Sequence, residues 1–169
     1  MSVMFTTKGR YALRVMADLA MHEGWVSLGD VSKRQRLSRK YLEQVVSMLV
    51  KVGYVRSQRG KGGGYQLTRD PADYTVADIL RAVEGPLAPV ECLECTTDEL
   101  CPLREKCPTL PLWRELGQVT NQFLNSKTLA DLVPEDGSET PGEVLDAVAD
   151  AAGGAPSIGH GDIVELEDE

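Results

Sequence analysis

Residues 37–67 read LSRKYLEQVVSMLVKVGYVRSQRGKGGGYQL. Leu42, Val45, Val46 and Leu49 recur at the spacing of one helix face, which predicts a helix from Arg39 to Val52. Ser38 suits an N-cap, and Gly53 stands where a helix stop places glycine. Two runs of strand composition follow, Tyr54–Gln58 and Tyr65–Thr68. They flank Arg59-Gly60-Lys61-Gly62-Gly63-Gly64, where glycines permit a sharp turn and two cations stand at its tip. A phosphate-binding glycine loop is the competing reading. Such a loop opens onto a helix N-terminus, whereas this one leads into a strand.

Upstream, Ala12, Val15, Met16, Leu19 and Ala20 form a helical stripe, with Gly24 as the expected stop. Ser27 and Asp30 have the spacing of a capping box and open a short helix that ends near Arg36. Two helices joined through Leu37-Ser38, the second starting with Arg, Lys and Tyr, read as a helix-turn-helix. A hairpin directly after the second helix is then a wing, and Arg59 and Lys61 are placed to reach phosphates or a narrow minor groove.

Downstream, Thr75 and Asp78 start another helix, which stops at Gly85-Pro86. Next comes ECLECTTDELCPLREKCP, which holds all four cysteines of the chain in the pattern C-x2-C-x5-C-x5-C: Cys92, Cys95, Cys101 and Cys107. Thiolates gathered this way bind a soft metal or an iron–sulfur cluster, or form disulfides. A further helix starts at Pro111 and runs to about Leu124. Leu112, Leu116, Val119 and Phe123 alternate spacings of four and three on it, a seam suited to pairing across a dimer. Thr128 opens a last short turn.

The charge is segregated. Residues 1–82 hold 14 basic and 7 acidic residues, a net of +7; residues 135–169 hold 11 acidic residues and no Lys or Arg. A basic N-terminal module on a chain of net charge −8 points to a polyanionic partner for that module alone. The acidic, aromatic-free tail reads as disordered, with residues 143–152 as a marginal helix at most. No secretory signal or membrane span is apparent, so the expected location is cytoplasmic, where thiols stay reduced and a metal is favoured over a disulfide.

The segments TTKGRYALR, LSRKYLEQVVSMLVKVGYVRS and RGKGGGYQL resemble the Rrf-type winged-helix transcriptional regulators, the bacterial group that includes IscR, NsrR and CymR. The resemblance runs from residue 1 to about residue 134. It implies a mainly α fold with a small β-hairpin wing (α+β). Residues 1–85 would form the winged helix-turn-helix domain, 86–110 the cysteine-rich loop, 111–134 the dimerisation helix and final turn, and 135–169 the tail. It also implies a homodimer on a roughly palindromic DNA operator, with half-sites about 34 Å apart. Ser38, Arg39, Lys40, Tyr41, Glu43 and Gln44 would then face DNA, with Arg59 as the minor-groove cation beside Lys61. Arg and Lys suit guanine edges or phosphates, Gln suits adenine, and Glu suits the cytosine amine.

In cluster-binding members, three cysteines spaced C-x5-C-x5-C ligate iron, and Cys95, Cys101 and Cys107 match that spacing. The fourth ligand departs from the pattern. Leu110 stands where IscR-like proteins place histidine, and Lys8-Gly9-Arg10 where NsrR-like proteins place an acidic residue. Cys92 is therefore a candidate, as are Glu91, Glu94, Asp98, Glu99 and Glu105; His22 reads as a solvated helix-end residue. The resemblance implies an iron–sulfur cluster, either two-iron or four-iron. Structural zinc, or a metal-free loop whose thiols form a redox switch, stands beside it as an alternative. No catalytic constellation argues for an enzyme.

Overall fold

The computed structural model describes residues 5–93 and 106–133. Its elements are α1 (Thr7–Ala20), α2 (Leu28–Gln35), α3 (Arg39–Lys51), β1 (Val55–Gln58), β2 (Gly64–Leu67), α4 (Val76–Glu84) and α5 (Leu110–Ser126). Short 3-10 turns span Pro71–Asp73, Glu91–Leu93 and Ala130–Leu132. This is a winged helix followed by a long C-terminal helix. The acidic tail, including residues 143–152, lies outside the described residues.

Apolar periodicity places the core. Ala12, Val15 and Met16 of α1 and Leu42, Val45, Val46 and Leu49 of α3 are buried together with Val31, Val55, Ile79 and Leu129. A second cluster joins Val76, Ala77 and Leu80 of α4 to Leu87 and to Leu124 of α5. The α2 and α4 caps form as the sequence predicts: the Ser27 and Thr75 hydroxyls accept from Asp30 N at 3.1 Å and Asp78 N at 3.0 Å. Gly53 follows α3 with φ +76°.

Three details differ from the sequence reading. The first helix ends at Ala20, not Gly24, and the Met21 N–H closes its last turn onto the Ala17 carbonyl. Ser38 makes no side-chain cap; the Ser38 carbonyl alone accepts from Tyr41 N and Leu42 N. The last long helix begins at Leu110, which is buried and belongs to the packed face rather than to the loop.

β1 and β2 pair antiparallel, with Val55 opposite Leu67 and Gln58 opposite Gly64. Val26, just before α2, adds a bridge to Tyr65 through two hydrogen bonds of 3.0 and 2.8 Å. Residue 64 must be glycine for this, because a Cβ there would lie 2.3 Å from the Val26 carbonyl oxygen. The hairpin base is held by Tyr74, which is buried. Its hydroxyl donates to the Tyr54 carbonyl at 3.0 Å and accepts from Thr68 N at 3.1 Å and Arg69 N at 2.9 Å.

Tyr74→Phe keeps the ring but removes the partner of three backbone groups. It should lower unfolding free energy by about 1–3 kcal/mol, read as a lower urea midpoint with an unchanged m value.

Candidate nucleic-acid interface

The buried stripe of α3 leaves its other face to solvent. Ser38, Arg39, Lys40, Glu43 and Gln44 are exposed. Arg39 Nε donates to Glu43 Oε1 at 3.2 Å, an i,i+4 pair whose side chains are 70% and 53% exposed. So open an ion pair is weak and readily exchanged for another partner. Tyr41 is placed differently. It is half-buried, and its ring meets Tyr11 of α1 edge-on at a centroid distance of 5.2 Å.

Arg59 and Lys61 are exposed at the wing tip. Gly60 and Gly62 adopt φ +104° and +79°, backbone that other residues rarely take, so the RGKGGG turn depends on them. Below the tip, Arg56 stacks on Trp25 at 5.3 Å and donates to Gln66 Oε1 at 2.8 Å.

Between α1 and α2 lies a polar cluster that the sequence pattern did not reveal. Asp18 is fully buried. It accepts from Arg34 at 2.6 and 3.1 Å and from the Gln35 amide at 3.0 Å. Arg14 donates through Nε to Gln35 Oε1 at 3.0 Å and through its terminal nitrogen to the Gln35 carbonyl. Burial holds the Arg14 guanidinium below the usual arginine range. His22, read from sequence as a solvated helix-end residue, is half-buried, with Nδ1 2.7 Å from the Asp18 carbonyl oxygen and 3.7 Å from its carboxylate. The available signal was a charged residue, Asp18, set between Val15 and Leu19 of the buried stripe.

Of the four cysteines, Cys92 and Cys107 are described, both free thiols of intermediate exposure. Cys95 and Cys101 lie outside the described residues, as do Glu94, Asp98, Glu99 and Glu105. Hydrogen bonding to Thr109, whose hydroxyl is 3.3 Å from the sulfur, holds the Cys107 thiol below the ordinary cysteine value. That favours the thiolate, the form that binds metal. Leu110, at the position of the absent histidine, is buried and offers no donor. Among the described residues, no three His, Cys, Asp or Glu side chains form a metal-sized group. Among them, too, no helix is long and apolar enough to cross a membrane.

The profile of a family described as Rrf2, iron-dependent transcriptional regulator, matches residues 5–135. The chain belongs to the Rrf2 family. Among Rrf2 relatives, it is 45% identical over 130 residues to the HTH-type transcriptional regulator IscR of Serratia proteamaculans, covering 76% of this chain and 77% of that protein. The structure of CymR, the global cysteine regulator of B. subtilis, is similar with a TM-score of 0.62 at 41% identity, covering 78% of this chain and 96% of that one. T. potens IscR is similar with a TM-score of 0.61 at 34% identity, covering 95% and 94%. These Rrf2 relatives are named as regulators rather than enzymes.

Because the Arg39–Glu43 pair is so exposed, Glu43→Gln should change unfolding free energy by less than about 0.5 kcal/mol. A larger loss in a denaturant titration would mean that the pair supports the fold.

Proposed function

We propose that this Rrf2 protein is a sequence-specific DNA-binding transcriptional regulator, a repressor, whose grip on DNA is controlled by an iron–sulfur cluster in the cysteine loop. One observation carries the DNA-binding half: a solvent-facing polar helix surface at α3 and a cationic wing tip project from one tightly packed body. Arg39, Lys40 and Gln44 are the base-reading or phosphate-contacting groups on α3. Glu43 reads a cytosine amine once Arg39 leaves it, and Ser38 anchors a phosphate. Tyr41 contributes from the edge of that surface, since its ring is half-committed to Tyr11. Arg59 enters the flanking minor groove and Lys61 neutralises phosphate.

Two copies act together. Leu112, Val119 and Phe123 of α5 are 57–59% exposed and Leu116 is 40% exposed, an apolar row along one helix. Covering that row with the same row of a second chain removes it from water and makes a homodimer on a two-fold-symmetric operator.

Cys95, Cys101 and Cys107 would hold the cluster, and Cys92 is the candidate fourth ligand. The thiol donor set fits iron, and the depressed Cys107 thiol is suited to it. When bound, the cluster supplies a centre that can be oxidised or lost in response to the cell's chemistry. Among this chain's own residues, Asn121 of α5 donates to the Leu87 carbonyl at 3.2 Å and accepts from Arg81 of α4 at 2.7 Å. The root of the cysteine loop is thereby tied to both helices.

Protein purified without oxygen should be brown, with stoichiometric iron and sulfide, and Cys95→Ser, Cys101→Ser or Cys107→Ser should each abolish the colour. A colourless protein with one zinc per chain, or with no metal, would replace the cluster by structural zinc or a thiol switch. Colour that survives Cys92→Ser removes Cys92 from the ligand set.

Arg59→Ala should weaken operator binding and flatten the dependence of log K on log salt by roughly one unit for each phosphate that is no longer neutralised. An unchanged slope would take Arg59 out of the interface.

A further inference from the structure

We infer that Arg14 and Asp18 of α1, acting through Gln35 and Tyr11, are positioning residues for base recognition: they fix the pose of α3 against the rest of the DNA-binding domain. The inference rests on the DNA-binding reading above and adds to it residues that do not themselves face DNA.

The geometry is a polar spine on a helix otherwise packed by hydrocarbon. Tyr11, Arg14 and Asp18 follow one another at helical spacings of three and four, so they share one side of the helix, and His22 meets the Asp18 carbonyl just past its end. Asp18 is 0% and Gln35 2% exposed, yet every polar atom of the pair is engaged. Gln35 is the last residue of α2. Its amide oxygen accepts from Arg14, its amide nitrogen donates to Asp18, and its backbone carbonyl accepts from Arg14. The next residue, Arg36, turns the chain with φ +50°, and α3 starts three residues later at Arg39. A clamp on Gln35 therefore fixes the chain at the point where the helix-turn-helix bends.

A second contact reaches α3 directly. The Arg14 guanidinium lies 6.0 Å from the centre of the Tyr11 ring, and Tyr11 meets Tyr41 edge-on. Arg14 thus bonds Gln35 before the turn and lies against Tyr11, whose ring meets Tyr41 after it. A plain apolar contact would let α3 rotate or slide by small amounts at little cost. The directional hydrogen bonds on Gln35 hold the end of α2 that leads into α3, and a slip there leaves a buried donor or acceptor unpaired. Base reading needs this restraint more than phosphate binding does. Hydrogen bonds to base edges tolerate little misplacement, whereas attraction to backbone charge tolerates more.

The test compares two probes on the full-length chain: a duplex enriched by the wild-type protein from a random library, and a scrambled duplex of equal length. Arg14→Lys keeps the charge but removes the planar fork that spans the Gln35 side chain and backbone. It should reduce the ratio of enriched to scrambled affinity by roughly 10- to 100-fold, the scale of one or two mismatched base pairs. Affinity for the scrambled duplex, and its salt slope, should not move. Asp18→Asn should act in the same direction. Tyr11→Ala should lower the ratio and Tyr11→Phe should restore it, since the ring and not the hydroxyl meets Tyr41. Should Asp18→Asn fail to fold, Arg14→Lys and the Tyr11 pair decide alone.

A ratio unchanged in Arg14→Lys, or equal losses on both duplexes, would overturn the inference and leave the regulator reading intact. A wild-type chain that enriches no duplex would remove the regulator reading, and this inference with it.

Discussion

The carboxylate of Asp18 is the constraint around which the DNA-binding half is arranged. A charge wholly removed from water is costly unless donors replace its hydration. Arg34 and Gln35 supply those donors from α2, at 2.6, 3.0 and 3.1 Å. Such a group adds little net stability over a well-packed apolar substitute, but it has few acceptable arrangements. The hydrophobic core formed by Val15, Met16, Val31, Leu42 and Val46 holds α1, α2 and α3 together. The Asp18 cluster fixes how α1 and α2 meet within it.

Most of the helical framework was legible because its signals are local. The apolar residues of α3 and α4 recur at helical spacing, and the Ser27–Asp30 and Thr75–Asp78 boxes close within four residues. Gly60 and Gly62 were legible as turn residues. What stayed hidden depends on partners far along the chain. The Val26–Tyr65 bridge, the Tyr74 clasp on Tyr54 and the Asp18–Arg34 pair each join residues 16 to 39 positions apart. Ser38 shows the limit of a local rule. Its type suits a cap, but its hydroxyl makes no bond to the helix end. The candidate site was legible to the same degree. The exposed residues of α3 and the wing could be named in advance, whereas the cluster between α1 and α2 could not. Cys95 and Cys101 are proposed as ligands from their spacing and the family, since both lie outside the described residues.

Longer-range ties connect this half to the cysteine loop. Glu84, the last residue of α4, sends one carboxylate oxygen to the start of α1, where Thr6 N, the Thr6 hydroxyl and Gly9 N donate to it at 2.9, 2.7 and 2.8 Å. A carboxylate at a helix N-terminus meets unpaired N–H groups and the positive end of the helix dipole. The same arrangement explains Gly9, where a Cβ would stand 2.5 Å from the Glu84 oxygen. α1 is thus held at its start by the residue that precedes the loop, and further along its length it holds the turn into α3.

α5 completes the connection because it uses two faces for two purposes. Leu110, Gly117 and Leu124, seven residues apart, face inward and are buried; Leu112, Leu116, Val119 and Phe123 face outward and are exposed. Gly117 leaves room for Pro89 and Leu93, which would lie 3.3 and 3.8 Å from a Cβ at that position. At the helix start, the Cys107 carbonyl accepts from Leu110 N at 3.3 Å. Both described ends of the cysteine segment, Leu93 and Cys107, are therefore seated on α5. Contacts lead from that segment to α5, through Asn121 and Arg81 to α4, and through Glu84 to α1. The helix that carries the exposed apolar row is also the one on which both described ends of the cysteine segment rest.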